Sequence, residues 1–311
     1  VQHHHAHVAA CMAENGIARD SPPILGIALD GLGYGEGGEL WGGEFLLADY
    51  GGFERLASFR PVAMIGGDAA SREPWRNLYA HLMAAMGWAA FTREFGALEV
   101  HAFLAAKPRA LLDAATASGL NTPLASSCGR LFDAVAAALG LCRERQAFEG
   151  QAACVLEAAV DRGVLRHEDE ALAYPLALEF PAGSGLPYLE PLPMWRALLA
   201  DLARGTPRPV MAARFHKGLA VALAATAEGL AERRAQGGAR FGAVALSGGC
   251  FQNCILLEET IARLEARDFT VLSHAEVPAN DGGLALGQGA IGAARILAGD
   301  VLDGNNRPLR G

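Results

Sequence analysis

Three stretches of this chain predict an α/β fold. Phe241 to Leu246 is an apolar strand that runs into Ser247-Gly248-Gly249, after which a helical pattern extends from about Cys250 to Ala266. A second apolar run, Phe269 to Leu272, precedes a helix that starts after Asp281 and reaches Leu297. Near the start, residues 24–29 (ILGIAL) are continuously apolar, as a strand covered on both faces requires. Strands that alternate with glycine turns and helices belong to layered α/β architectures.

The elements follow in order. Residues 1–16 read as a helix with a glycine stop at Gly16, and Pro22-Pro23 closes the link to the first strand. Asp30 to Gly38 holds five glycines and Glu39 to Asp49 reads as a second strand, so the pair forms a hairpin with a glycine-rich turn headed by an acid. Backbone N–H groups in such a turn approach anions closely. Residues 75–90, 97–118, 126–141, 151–160, 193–204 and 209–235 carry helical spacing of Ala and Leu. A lobe boundary is placed near 120–125, giving lobes 1–122 and 123–311.

Composition narrows the function. Half of the 311 residues are apolar, enough for a substantial core, and the net charge of −8 argues against broad nucleic-acid grooves and polybasic membrane contacts. No apolar run reaches membrane-spanning length and no signal-peptide pattern opens the chain. The six cysteines are scattered with no CxxC pair, which points to reduced thiols in a cytoplasmic protein rather than a zinc ribbon. The chain starts with Val, which suggests a fragment or a processed product.

The start of the chain is its richest chemistry. His3, His4, His5 and His7 fall within five positions. On a helix His3 and His7 share a face, about 6 Å apart along the axis, and two neutral imidazoles so placed can hold one divalent cation at about 2.0–2.1 Å. Asp30 and Asp281 are candidates for the remaining ligands. A purification-tag remnant is the competing reading; Ala6 interrupts the run and the helix continues past it.

Several turns suit a nucleotide. Ser247-Gly248-Gly249 between a strand and a helix favours a negatively charged group, and Asn253 could face a ribose or base. Cys250 and Cys254 share a helix face. Gly31 lies in the acid-headed turn. Gly66-Gly67-Asp68 leads to Ser71, an N-cap, and Pro74 at a helix start, with Arg72 able to meet phosphate or a carboxylate. Gly129 and Asp133 share a helix face, and Gly150 follows Glu149 at the next helix start. His216, inside a predicted helix, is a candidate to act on substrate, against the blander reading of an interhelical histidine. A tight structural turn or plain helix cap competes with each glycine motif.

Taken together, the segments VQHHHAHVAACMAE, ALDGLGYGEGGELWGGEF, GGDAASREPW, SSCGRLFDAVAAALGL, FEGQAA, RFHKGLA, LSGGCFQNCILLE and PANDGGLALGQGA, in this order, resemble the C-terminal region of the HypF family, the hydrogenase maturation carbamoyltransferases. The core is similar to that of threonylcarbamoyl-adenosine-forming tRNA enzymes and antibiotic O-carbamoyltransferases. The resemblance implies the bilobed actin/sugar-kinase/Hsp70 (ASKHA) fold, lacking the first strands of lobe one, so that a sheet edge would be exposed. It implies a chemistry in which carbamoyl phosphate and ATP give carbamoyl adenylate, and the carbamoyl group passes to the C-terminal cysteine of the partner HypE, later to become the cyanide of [NiFe]-hydrogenase. By motif position, His3, His7, Asp30 and Asp281 would bind a divalent metal (Fe or Zn, with Mg possible alongside nucleotide). Gly129, Asp133, Gly150, Gly248, Gly249 and Asn253 would line the nucleotide pocket. Acylphosphatase, zinc-finger and YrdC-like domains of the longer family chains are absent from this sequence, so the full reaction is not expected of it alone. Another carbamoyl- or threonylcarbamoyl-transferase, or an inactive metal- and nucleotide-binding fragment, are the alternatives.

Overall fold

A computed structural model of the chain describes residues 1–181, 183, 185–238 and 240–299. Helix α1 (His3–Glu14) opens it and leads into strands β1 (Ile24–Tyr34), β2 (Leu40–Ala48), β3 (Phe53–Phe59) and β4 (Val62–Ala63). Helices α2 (Asp68–Arg72), α3 (Pro74–Ala85), α4 (Gly87–Phe95), α5 (Glu99–Ala105) and α6 (Arg109–Ser118) follow, then β5 (Leu124–Ala125), α7 (Cys128–Ala138), α8 (Gln151–Ala158) and α9 (Arg162–His167). After β6 (Ala177–Glu179) and β7 (Tyr188–Glu190) come α10 (Leu192–Arg204) and α11 (Arg208–Gln236). The chain closes with β8 (Ala243–Ser247), α12 (Cys254–Glu265), β9 (Thr270–Leu272) and α13 (Leu284–Leu297).

One sheet organises these elements, in the order β6-β7-β3-β2-β1-β8-β9, with β4 and β5 attached beside β2. β1, β2 and β3 form an antiparallel meander; β8 then lies parallel to β1, and β9 parallel to β8. β1 is therefore central and buried on both faces. Leu25, Ile27 and Leu29 enter the main core with Leu131 and Phe132 of α7, and Ile24 and Ala28 pack with Val8 and Met12 of α1 and Ile291 of α13. This explains the unbroken apolar run at 24–29. Because β1 pairs directly with β8, a division at residue 122 does not coincide with a break in the sheet: both sides of it share one layer. Residues 300–311 of the second expected lobe lie outside the described residues.

Helix α1 is seated between the sheet and α13. Its residues 4–12 are all buried, so the histidine-rich start is part of the fold rather than a tag. The approach to α13 is close enough to demand glycine: a Cβ on Gly287 would stand 1.9 Å from the Ala6 carbonyl oxygen.

Several boundaries differ from those expected. β1 does not stop at Asp30; it runs to Tyr34 through a register shift between Leu29 and Gly33, and this bulge pulls Asp30 and Gly31 out of the β2 ladder. The helix expected over 75–90 breaks at Met86, before Gly87 at φ 73°, and the one over 97–118 breaks ahead of Pro108. Ser71 is not an N-cap. It lies within α2, and α3 starts with Pro74 at its first turn behind Glu73. Helix α12 starts at Cys254 rather than Cys250, because 249–252 form a separate 3-10 turn; the two cysteines therefore do not share a helix face.

Candidate metal and nucleotide site

The four predicted metal ligands converge. Gln2 caps α1, its side-chain oxygen accepting from the His5 N–H at 2.8 Å, and so sets the helix to begin at His3. His3 and His7, one turn apart, then point the same way. Asp30 reaches them from the β1 bulge and Asp281 from a 3-10 turn (Asp281–Gly283) that leads into α13. Asp30 Oδ2 lies 3.1 Å from His3 Nε2 and 3.3 Å from His7 Nε2; Asp281 Oδ1 lies 3.5 and 3.4 Å from the same nitrogens. All four ligand atoms fall within 4.8 Å of one another.

These separations fit a cation. Four ligands at about 2.0–2.1 Å around a tetrahedral ion stand roughly 3.4 Å apart, whereas charge-assisted hydrogen bonds close to about 2.7–2.9 Å. Imidazole nitrogen and carboxylate oxygen together suit zinc or iron. The hydrogen bond it donates to Asp30 raises the His3 imidazole above its ordinary pKa, against the effect of burial. Burial opposes the charge of Asp30, but bonds from His3, His7 and the Gly31 N–H hold its carboxyl well below the usual range. The other two histidines of the cluster are turned elsewhere. His5 Nε2 donates to the Asp49 carbonyl at 2.7 Å, and burial lowers His4 to about 3.

Beside the tetrad opens a cleft of about 570 Å³, within the range of small-molecule sites. Its walls come from the β1 bulge (Asp30, Gly31, Leu32), the first turns of α7 and α8, the 3-10 turn after β8, and the Asn280–Gly282 loop. Ser127 caps α7 by accepting from the Arg130 N–H at 3.1 Å. Its hydroxyl lies 2.5 Å from the Gly31 carbonyl, which ties the helix to the bulge.

Of the predicted nucleotide residues, Gly31, Gly129, Asp133, Gly150, Gly249 and Asn253 line this cleft, and Gly66, Gly67, Asp68 and Gly248 do not. Gly66 and Gly67 form a left-handed turn whose N–H groups bond Asn121 and Met64, and Asp68 forms an exposed ion pair with Arg72 at 2.6 Å. Gly248 serves the sheet: at φ 101° its backbone passes so close to β1 that a Cβ would meet the Leu29 carbonyl oxygen at 2.2 Å.

His216 is corrected from a candidate catalyst to a support. It is fully buried. Nδ1 donates to the Ala212 carbonyl at 2.8 Å, and Nε2 accepts from the Asn253 amide at 2.9 Å. Burial lowers its pKa to about 4, so it is neutral at pH 7. Asn253 Oδ1 in turn accepts from the Leu256 N–H as the N-cap of α12. Both ends of this carboxamide are engaged in holding the turn.

Asp133 is 1 % exposed, and burial pushes its carboxyl up to about 6 despite Arg130 and Gln146 nearby. Sequence reasoning did not single out Arg130, Glu157, Gln252 or Asn280, which also line the cleft. Arg130 carried a signal: a lone cation on an otherwise apolar helix, between Gly129 and Asp133.

An antiparallel meander feeding two parallel strands, with the candidate ligands and glycine turns gathered around the β1 bulge and the turn after β8, defines an α/β protein of the ASKHA class. Comparison with known proteins narrows the class. Residues 26–288 match the family described as carbamoyltransferase, Kae1-like domain, second subdomain. The carbamoyltransferase HypF of Rhodobacter capsulatus is 44 % identical over 297 residues, covering 95 % of this chain and 36 % of that protein. A HypF homolog of Cupriavidus necator is 38 % identical over 299 residues, covering 96 % of this chain and 71 % of the homolog. Among solved structures, full-length HypF in a phosphate- and nucleotide-bound form superposes with a TM-score of 0.81 at 32 % identity, over 96 % of this chain and 43 % of that one. The HypF of T. kodakarensis gives 0.77 at 30 % identity, over 96 % and 37 %. The chain belongs to the HypF carbamoyltransferase family, and spans about a third of the length of the R. capsulatus relative. No helix among the described residues is long and apolar enough to cross a membrane.

Proposed function

We propose that this chain hosts the carbamoyl-transfer step of hydrogenase maturation: carbamoyl adenylate binds in the cleft and its carbamoyl group passes to the C-terminal cysteine thiol of HypE. The observation that carries this reading is the convergence of His3, His7, Asp30 and Asp281 at the mouth of a cleft lined by glycine turns. The tetrad would hold the divalent metal, which when bound supplies charge neutralisation and Lewis acidity toward phosphate oxygens. The chain's own residues position the substrate. The first turn of α7, fixed to the β1 bulge by Ser127, presents a helix N-terminus to the anionic phosphate. Asn253, locked by His216, keeps the turn after β8 in place.

The incoming thiolate forms a C–S bond with the carbamoyl carbon, the C–O bond to phosphate breaks, and its electron pair leaves with AMP; the thiol proton passes to solvent. The nucleophile comes from the partner. Cys250, which lines the cleft, is pushed well above the ordinary thiol pKa by its contact with Cys128 and by burial, and so stays a thiol. Formation of carbamoyl adenylate from carbamoyl phosphate and ATP is assigned to the remainder of the longer relatives.

Mixing the chain with preformed carbamoyl adenylate and a peptide ending in cysteine tests this. The expected result is AMP release with the gain of one carbamoyl group on the peptide thiol. Hydrolysis at the background rate, with an unmodified peptide, would overturn it.

A further inference from the structure

The cleft has an unusual charge balance for a site that is to hold a phosphate. Asp30, Asp133, Glu149, Glu157 and Asp281 line it, and Arg130 is the one Lys or Arg among the described residues that does. Arg130 is 4 % exposed, yet Nε and Nη1 of its guanidinium have no hydrogen-bond partner. The nearest carboxylate oxygen, Asp133 Oδ2, lies 3.3 Å from Nη1 without the alignment of a hydrogen bond. Burial pushes the carboxyl of that acid up to about 6, so at pH 7 it is mostly ionised and pairs with Arg130 by charge alone. The Asp133 ion pair offsets part of the desolvation cost of this guanidinium, but Nε and Nη1 still lack acceptors, so it favours an anion that supplies them. Its Nη2 reaches toward the bulge, 3.7 Å from the position that a Cβ would take on Gly31. The first turn of α7 ends on the same wall at Gly129.

We propose that Arg130 is the phosphate-binding residue of the cleft, holding the α-phosphate of the nucleotide against the first turn of α7. This rests on the nucleotide reading above and assigns the anion's place within it. In the transfer reaction the phosphate gains negative charge as the C–O bond breaks and the electron pair moves to the departing AMP. Arg130 meets that charge from the protein side and sets the orientation of the leaving group. The same contact selects nucleotides that carry a phosphate over bare nucleosides in a cleft that otherwise repels anions.

The test compares AMP with adenosine by calorimetric titration into the chain, with a chelator present so that no metal contributes. Wild type is expected to bind AMP on the order of 30-fold more tightly than adenosine, the worth of a charge-assisted contact. Arg130→Met is expected to lose that preference while keeping adenosine affinity, and Arg130→Lys to lose less of it. Methionine matches the volume of the arginine but leaves Asp133 without its counter-charge, so the fold of Arg130→Met is checked by circular dichroism before titration. Should it fail to fold, the wild-type ratio still decides: equal affinity for AMP and adenosine overturns the proposal. A phosphate preference retained in Arg130→Met overturns it as well. Wild type that binds neither ligand would sink the nucleotide reading itself, a result distinct from binding both equally.

Discussion

His216 and Asp133 show how buried polar groups set the cleft wall. Replacing His216 with Ala strands the Asn253 amide without its acceptor; stability in urea is expected to fall by about 1–3 kcal/mol, and an unchanged midpoint would contradict the lock. Asp133 has a folded pKa raised to about 6 from 3.8. The folded state therefore holds a proton that the unfolded chain releases, and stability falls as pH rises from about 4 to about 6, by up to roughly 3 kcal/mol. Asp133→Asn is expected to flatten this segment of the pH–stability curve; a curve that keeps its slope would show that another group produces it. The residue types were legible in the sequence at the tetrad, where helical spacing and two strand-end acids suffice. The sequence named His216 and Asn253 but not their contact, since the two lie 37 residues apart and meet only when α11 packs beside α12.

Helix α1 carries His3 and His7, two of the four proposed ligands, so its seating decides whether the tetrad forms. The contact of Gly287 with the Ala6 carbonyl leaves no room for a side chain. Gly287→Val is expected to destabilise the chain by about 1–3 kcal/mol in denaturant and to weaken metal binding in parallel. Stability and affinity unaffected by that change would show that the helices can separate without loss. The far end of α1 is tied down by Glu14. Its carboxylate takes a hydrogen bond from His274 at 2.7 Å and accepts from the N–H groups of Ala275, Glu276 and Val277, at the head of the loop that delivers Asp281. Burial opposes its charge, but these bonds hold its carboxyl down to about 2. The stabilisation is thus fully present above the ordinary value of 4.5 and is lost as pH falls toward about 2. Glu14→Gln is expected to melt below wild type at pH 7, with the gap closing near pH 2; a constant gap would exclude the carboxylate as its source. None of this clamp was readable beforehand, since a lone glutamate at a helix end is also what a solvated surface looks like.

At the scale of the whole molecule, the α/β class and the strand-turn-helix units of the second half were legible because continuous apolar runs and glycine punctuation are local signals. The single sheet was not. β3 (FERLASF) carries charges at Glu54 and Arg55, and β6 and β7 are three residues long, too short for periodicity. The pairing of β1 with β8 joins segments some 220 residues apart, which no window of sequence reports. That pairing brings the bulge at Asp30 beside the turn after β8, and α13 brings Asp281 to α1, so the site is a product of the completed fold. The most direct test is an anomalous-scattering map from crystals of the zinc- or iron-loaded chain. The account predicts one ion bound by Nε2 of His3 and His7 and by Asp30 and Asp281, at about 2.0–2.2 Å. An ion elsewhere, or none at these four side chains at saturating metal, would contradict it.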